Sequence, residues 1–302
     1  MAASGITKFS DELATAAALA GPSVVTVYAR KRITSSGIVW RPGVVVTADH
    51  TIQREEEISV LDQKKRVDAK LAGRDPGTDL AILKLDGGDF QVPQFDDPTQ
   101  LKLANLVLAL ARTRAGNLVA SSGIIGGIGG QWRSWRGGLI DQSIRLDLEL
   151  YPGFSGGPLV SVDGKVLGVN TSGLGRGRPI AIPVATVNRT VDELLEKGYV
   201  ARPYLGIAMQ PVRVPENMRS KLKSAPAGGL MVLHVEAGGP ADKAGIVLGD
   251  VIVELEGKEA LDIENIRALL ASSKIGDSIR AIVLRAGAPL ELAVKLAECP
   301  AR

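Results

Sequence analysis

Residues 151–160, YPGFSGGPLV, place Ser155 in a glycine-rich turn that runs straight into an apolar stretch. A serine hydroxyl in such a turn is a candidate nucleophile, but it needs a base to take its proton. The chain offers two histidines. His50 follows VVVTAD, at the end of a strongly apolar run, where a rigid strand can present a side chain from a loop. His234 lies inside LMVLHVEA and reads as a structural strand residue. An imidazole base needs a carboxylate to set its tautomer and stabilise its charged form. Asp79, in GTDLAILKL, enters an apolar strand where burial suits that task. Asp75, four residues earlier, sits in an Asp-Pro-Gly turn and is expected to be solvated. Gly153 and Ser155 each offer a backbone N–H near the hydroxyl, as an oxyanion hole requires. Gly156 and Gly157 permit the sharp turn behind it.

The elements that must hold these groups are short. From Val24 to about Pro183 the chain reads as strands at 24–28, 44–47, 58–61, 80–85, 105–111, 143–150, 158–162, 165–171 and 180–183. Turn signals such as Pro42-Gly43, Asp75-Pro76-Gly77 and Asp163-Gly164 separate them. Many short strands with few helical periods point to an all-β barrel or sandwich. A helix over 187–197 follows, with Val191, Leu194 and Leu195 on one side and Gly198 as its stop. Four more strands are expected at 230–235, 250–255, 278–284 and 290–296, with a helix over 263–270 capped by Asp262. The organisation is therefore an N-terminal segment 1–20, a first domain 21–198, a linker 199–203, a small α+β domain 204–297 and a tail 298–302. No sequence repeat is visible.

Composition excludes several classes. The chain has 302 residues, 45% hydrophobic and 23% charged, an ordinary globular balance for about two domains. A net charge of +3 calls for neither nucleic acid nor a membrane surface. Its apolar runs are too short for a transmembrane segment. The lone Cys299 can form neither an internal disulfide nor a metal cluster. The first 25 residues lack a basic start followed by a long apolar stretch, and Asp11 and Glu12 interrupt them, so they do not read as a signal peptide.

With these motifs in view, the chain resembles the HtrA (Deg) family of serine proteases. TADH at 47–50, TDLAIL at 78–83 and GFSGGPLV at 153–160 resemble its histidine, aspartate and nucleophile motifs, in the chymotrypsin-type order. GKVLGVNT at 164–171 and AIP at 181–183 resemble the signatures that follow, and the likeness spans about residues 20–297. It implies a mainly β fold, a chymotrypsin-like double β-barrel followed by a small α+β PDZ domain. It implies the catalytic set His50, Asp79 and Ser155, with no cofactor and no metal. YLGI, Tyr204, Leu205, Gly206 and Ile207, resembles the PDZ carboxylate-binding loop, which would take a free C-terminal peptide. Unfolded polypeptides are the implied substrates and a homotrimer the implied assembly. Location follows the same likeness: periplasmic or extracytoplasmic if an export signal was removed, cytoplasmic otherwise.

Departures from the family pattern matter. Phe154 stands where Asn is usual, and Asp49 replaces a small or amide residue; Asp49 is expected to point to solvent. Pro179 and Ile180 could reshape a cleft, and the loop 29–37 is short. The specificity pocket is expected from Glu149, Leu150 and Tyr151 and from Thr171, Ser172, Gly173 and Leu174. Glu149 inside that pocket would favour a basic residue; the alternative places Glu149 outside the pocket. Arg280 and Arg285 read as solvated strand-end charges. The competing functional reading is a weak or inactive, chaperone-like scaffold that binds unfolded chains.

Overall fold

The computed structural model describes residues 5–62, 65–175, 177–220, 222 and 227–299. Residues 1–4 of the N-terminal segment and 300–302 of the tail lie outside the described residues. The chain divides into two compact units, 1–200 and 201–302.

The first unit opens with helix α1 (Gly5–Ala20), whose Ala16 and Ala20 are buried. Six strands then form a closed barrel: β1 (Val24–Tyr28), β2 (Ser35–Arg41), β3 (Val44–Ala48), β4 (Ile58–Leu61), β5 (Arg66–Asp75) and β6 (Leu80–Leu85). Their order around the barrel is β1-β2-β3-β6-β5-β4. A second closed barrel uses β7 (Leu106–Arg112), β8 (Leu118–Gly129), β11 (Ser143–Asp147), β12 (Pro158–Ser161), β13 (Val166–Thr171) and β14 (Ile180–Pro183). A hairpin of β9 (Trp132–Arg133) and β10 (Leu139–Ile140) interrupts it. Counted within each barrel, the strand order is the same, first-second-third-sixth-fifth-fourth, a duplication with no visible trace in the sequence.

Branched aliphatic side chains fill both barrels, as the patterning predicts. Val25, Val27, Val39, Val45, Val60 and Leu83 pack inside the first. Ile125, Ile144, Leu159 and Leu167 pack inside the second. The largest cluster joins them: Ile38, Val46 and Ile82 meet Leu108, Leu110, Val160 and Val169. Each such side chain, fully buried, contributes about 1.5–3 kcal/mol. Buried apolar side chains therefore pack the seam between the barrels as they pack the interiors.

Helix α2 (Val184–Lys197) closes the unit. It begins three residues earlier than the periodicity predicts, because Pro183 ends β14 and stands at the N-cap. Val184, Val187, Val191 and Leu194 form its buried stripe, and Gly198, at φ +80°, terminates it. Helix α1 and strands β2, β5, β8, β9 and β10 occupy segments for which the sequence analysis names no element. The loop expected over 29–37 ends at Thr34, because Ser35 already pairs with Val27.

The second unit is a sheet in the order β16-β17-β18-β20-β21, made of β16 (Ile207–Arg213), β17 (Gly228–Val235), β18 (Val251–Leu255), β20 (Ser278–Arg285) and β21 (Ala288–Lys295). Strand β19 (Lys258–Glu259) pairs with β18. Strand β15 (Pro203–Tyr204) pairs with β22 (Ala297–Glu298). Helices α3 (Glu216–Arg219), α4 (Pro240–Lys243) and α5 (Ile263–Ser272) complete it, and Asp262 caps α5 by accepting from the Asn265 N–H. Arg280 and Arg285 are not free solvated charges. Arg280 pairs with Glu254 and Glu291, and Arg285 bonds both oxygens of the buried Asp250. A carboxylate that far from water needs such a partner.

Candidate active site at the seam of the barrels

His50 occupies a single 3₁₀ turn, Asp49–Thr51, directly after β3. The turn is tied to the β5–β6 turn by its backbone and its ring together. The Asp49 N–H donates to the Asp79 carbonyl at 3.0 Å, and the His50 N–H donates to Asp79 Oδ1 at 2.9 Å. His50 Nδ1 lies 2.8 Å from Asp79 Oδ2. That carboxylate assigns the ring proton to Nδ1 and leaves Nε2 as the basic nitrogen. Asp79 is fully buried and holds φ +58°, a left-handed conformation that aspartate tolerates better than most residues.

Asp75 is what makes that turn stable. It is buried, not solvated, because its carboxylate accepts from the Gly77 and Thr78 N–H groups at 3.0 Å and from the Thr78 hydroxyl at 2.8 Å. The side chain closes the turn that presents Asp79, an Asx-type device.

Asp49 also departs from expectation. It is buried, and its Oδ1 lies 2.5 Å from Arg74 Nε. Burial pushes its carboxyl above the usual range, against the opposing hydrogen bond and charge of Arg74. Burial would lower Arg74, but the bonds and charges of Asp49 and Glu55 raise it.

The nucleophile's turn comes from the other barrel, between β11 and β12. Phe154 N–H donates to the Tyr151 carbonyl at 3.0 Å, Pro152 stands second, and Gly153 has φ +102°. Proline there fixes a negative φ, so the turn is type II and requires glycine third. The N–H groups of Phe154, Gly156 and Gly157 are all used internally. Those of Gly153 and Ser155 have no acceptor among the described residues. Two free donors thus flank the Ser155 hydroxyl. Gly156 lies so close to the first barrel that a Cβ would sit 2.2 Å from the Ser36 carbonyl oxygen and 2.5 Å from Thr47 Oγ1. Phe154 explains its own departure from the family pattern. It is buried against Ala109 and Ala111 and anchors the turn from below.

Ser155 Oγ lies 3.2 Å from Ser172 Oγ and 3.4 Å from the Ser172 N–H. Its hydrogen bonds among the described residues do not include His50.

The expected pocket residues divide. Thr171 is buried and its hydroxyl donates to Asp79 Oδ2, while the Gly173 N–H donates back to Thr171 Oγ1 at 2.8 Å. A Cβ on Gly173 would lie 2.6 Å from Asp79 Oδ2 and 2.7 Å from His50 Nδ1. Both residues therefore serve the acid–base pair. Leu174 is in the main core. Leu150 packs beside Phe154, whereas Glu149 and Tyr151 are exposed and hydrogen-bonded to each other. Ile180 is also core, paired with Thr171. The sequence reading missed Ser36. Its buried hydroxyl donates to the Gly153 carbonyl at 2.8 Å and accepts from the Arg112 N–H at 2.9 Å, and its N–H donates to the Ser155 carbonyl at 3.3 Å. The only signal was a pair of serines before an apolar run.

In the second unit, β16 is an edge strand. Leu205 is buried in the domain core, and Gly206 turns at φ +73°. The Leu205 and Gly206 carbonyls are taken by the Ala241 and Glu236 N–H groups, at 2.9 and 2.8 Å. Their own N–H groups have no acceptor among the described residues. Donors beside an open strand edge suit a peptide that ends in a carboxylate. Tyr204 holds the loop from one side, in β15, and Ile207 begins β16 on the other.

Two closed barrels with serine, histidine and aspartate at their seam define the trypsin-like class of peptidases. Comparison with known proteins agrees. Residues 35–169 match the trypsin-like peptidase domain family, and residues 203–296 match the PDZ domain family. The serine protease Do-like HtrA of Lactobacillus helveticus is 35% identical over 280 residues, which cover 86% of this chain and 68% of that protein. A probable periplasmic serine endoprotease DegP-like of Bartonella henselae is 35% identical over 265 residues, covering 85% and 52%. The chain thus spans two thirds of one relative and about half of the other. Among solved structures, the HtrA-type protease AlgW with decapeptide superposes with TM-score 0.67 at 25% identity, over 96% of this chain and 99% of that one. A serine endoprotease from Yersinia pestis gives 0.67 at 27%, over 95% and 98%. The chain belongs to the HtrA/Deg family of serine proteases, with a trypsin-like domain and a C-terminal PDZ domain.

Proposed function

We propose that this protein is a serine endopeptidase that cleaves unfolded polypeptides without nucleotide, and that its PDZ domain takes free, mainly apolar C-termini. The observation that carries the reading is the His50–Asp79 pair, bonded at 2.8 Å, on the same seam as a serine flanked by two free N–H donors. His50 Nε2 takes the Ser155 proton as Oγ attacks a peptide carbonyl. The Gly153 and Ser155 N–H groups receive the charge that develops on the carbonyl oxygen. His50 returns the proton to the leaving amine, and water then hydrolyses the acyl-enzyme with the same base. Asp79, steadied by Thr171, keeps the ring in place throughout. Family likeness supports a homotrimer through the protease units.

The Ser155–Ser172 hydrogen bond favours a second reading, a weakly active scaffold, because it occupies the hydroxyl that His50 must reach. A serine-directed peptidyl phosphonate separates the two. Labelling of wild type, its loss in Ser155→Ala with the fold retained, and hydrolysis of a casein-like substrate without nucleotide are the expected results. Unlabelled wild-type protein that still suppresses aggregation of an unfolded client would favour the scaffold.

A further inference from the structure

The loop between β1 and β2, ARKRIT at 29–34, carries three consecutive cations, Arg30, Lys31 and Arg32. The fold brings two more to it. Tyr28, at the end of β1, is flanked by Arg66 of β5, with its guanidinium carbon 4.1 Å from the ring centroid. Arg114, from the β7–β8 turn, stands at 5.8 Å from the same ring. The Tyr28 hydroxyl donates to the Arg114 carbonyl, and Arg114 Nη1 reaches the Arg32 carbonyl at 3.3 Å. Three segments far apart in the chain therefore gather positive charge at one corner of the first unit.

That charge is not balanced locally. Arg30, Lys31, Arg32, Arg66 and Arg114 form no ion pair among the described residues. Of the nearby carboxylates, Glu57 pairs with Arg54 at 3.7 Å, and Asp62 accepts from the Lys65 N–H of its own turn at 2.7 Å. Asp68 follows Arg66 by two residues on the exposed face of β5. Elsewhere the pattern differs: Arg74 and Arg285 each meet a buried aspartate. Arg30 is half-buried without one. Its Nη2 reaches the Thr34 carbonyl at 3.4 Å, and its buried Nε has no partner among the described residues. Burial holds this guanidinium below its usual range. Like charges held this close repel, and the face of one tyrosine offsets only part of that. An anionic ligand would relieve it.

Position says which anion. The loop ends against the turn that bears the nucleophile. A Cβ on Gly153 would lie 3.5 Å from the Thr34 carbonyl oxygen, the same carbonyl that Arg30 reaches. Ser36, two residues on, bonds both Gly153 and Ser155. An extended chain advances about 3.3 Å per residue, so a polypeptide held at Ser155 has these cations within reach of its neighbouring residues. Ile33, 52% exposed in the same loop, offers that segment an apolar contact.

We propose that this corner is a docking site for acidic stretches of the polypeptide substrate, so that Asp- or Glu-rich segments flanking the cleaved bond are selected. The proposal rests on the reading of Ser155 as a peptidase nucleophile.

Two peptides with one cleavable centre test it, one flanked at both ends by glutamates and the other by glutamines. The ratio of their kcat/KM values, acidic over neutral, should be about fivefold or more at low ionic strength and should fall toward one in high salt. It should also fall toward one in Lys31→Gln/Arg32→Gln. Both positions are exposed in a loop, and the ratio cancels any general loss of activity. Lys31→Arg/Arg32→Lys should keep the preference, because the charge is kept. A ratio near one in wild type at low salt, or an undiminished ratio in the glutamine variant, overturns the proposal. Fluorescence anisotropy of an oligoglutamate peptide on full-length Ser155→Ala protein needs no turnover. Binding should weaken several-fold when Lys31→Gln/Arg32→Gln is added, and binding that persists unchanged also overturns it. Anionic phospholipid vesicles or single-stranded DNA bound at this corner, with no preference for the acidic peptide in cleavage, would give it to a different partner and overturn it too. Wild-type protein that binds the oligoglutamate through Lys31 and Arg32 yet resists the phosphonate would sink the peptidase reading and leave the docking site standing.

Discussion

The two barrels share one strand order and contribute the same two connections to the site. In each, the link from third to fourth strand carries one reacting group, His50 in the first barrel and Ser155 in the second. In each, the link from fifth to sixth strand carries the support: Asp79 in the first, Ser172 and Gly173 in the second. The means differ. The first barrel fixes its group with charged and polar side chains, Asp79, Asp75, Arg74 and Asp49. The second uses backbone geometry, a proline–glycine turn and glycines that let two chains touch. A base needs a controlled electrostatic environment, so side chains must surround it. A nucleophile beside an oxyanion needs bare N–H groups, so side chains must be absent.

The sharpest test of the side-chain half is Asp79→Asn. It keeps the shape but removes the charge and favours the wrong tautomer, so kcat/KM should fall about 10⁴-fold. Steady-state kinetics on a small peptide, with the thermal midpoint as a check on folding, measures it. A loss under tenfold would mean the ring is oriented by its backbone turn alone. The backbone half is tested by Gly153→Ala. A Cβ there meets only the Thr34 carbonyl oxygen at 3.5 Å, so space is available and φ +102° is the obstacle. The turn should relax toward type I and swing its N–H away, costing about 10²–10³ in kcat with KM little changed. An equal loss in the phosphonate's non-covalent affinity would instead point to a collapsed cleft.

The smallest effect on catalysis should come from outside both barrels. Burial pushes Asp250 up, but the hydrogen bonds from Arg285 and Val247 and the Arg285 charge more than offset it and hold the carboxyl below its usual range. A depressed carboxyl contributes stability that is present above its unfolded pKa, about 3.9, and is lost as pH falls through the folded value. Asp250→Asn should therefore destabilise the second unit most at neutral pH, with the gap to wild type closing below about pH 4. Thermal unfolding across pH reads this out, and small-peptide cleavage should be unchanged. A gap that widens on acidification would refute the sign.

Much of this was legible in advance. His50, Asp79 and Ser155 stood out because their neighbours are glycines or apolar runs with distinct patterns. The duplication was invisible because barrel topology depends on pairing, and unrelated β-branched residues satisfy it equally well. Strand β8 was missed because it is rich in glycine, which is depleted in strands generally. Here glycine is required, since a Cβ on Gly123 would sit 2.2 Å from the Asp147 carbonyl oxygen. Asp49, Asp75 and Arg285 were misread for one reason. Charged side chains are usually solvated, and only tertiary neighbours reveal a buried partner.

Ser36 has a consequence for anyone recombining such proteins. It belongs to the first barrel, yet its described hydrogen bonds to Gly153, Ser155 and Arg112 all reach the second. A chimera that takes each barrel from a different relative would thus have to keep this small hydroxyl, beside the bond from Thr171 to Asp79. Grafts that keep a serine there should inherit the spacing between base and nucleophile. Grafts that replace it with a bulkier residue must find that spacing anew.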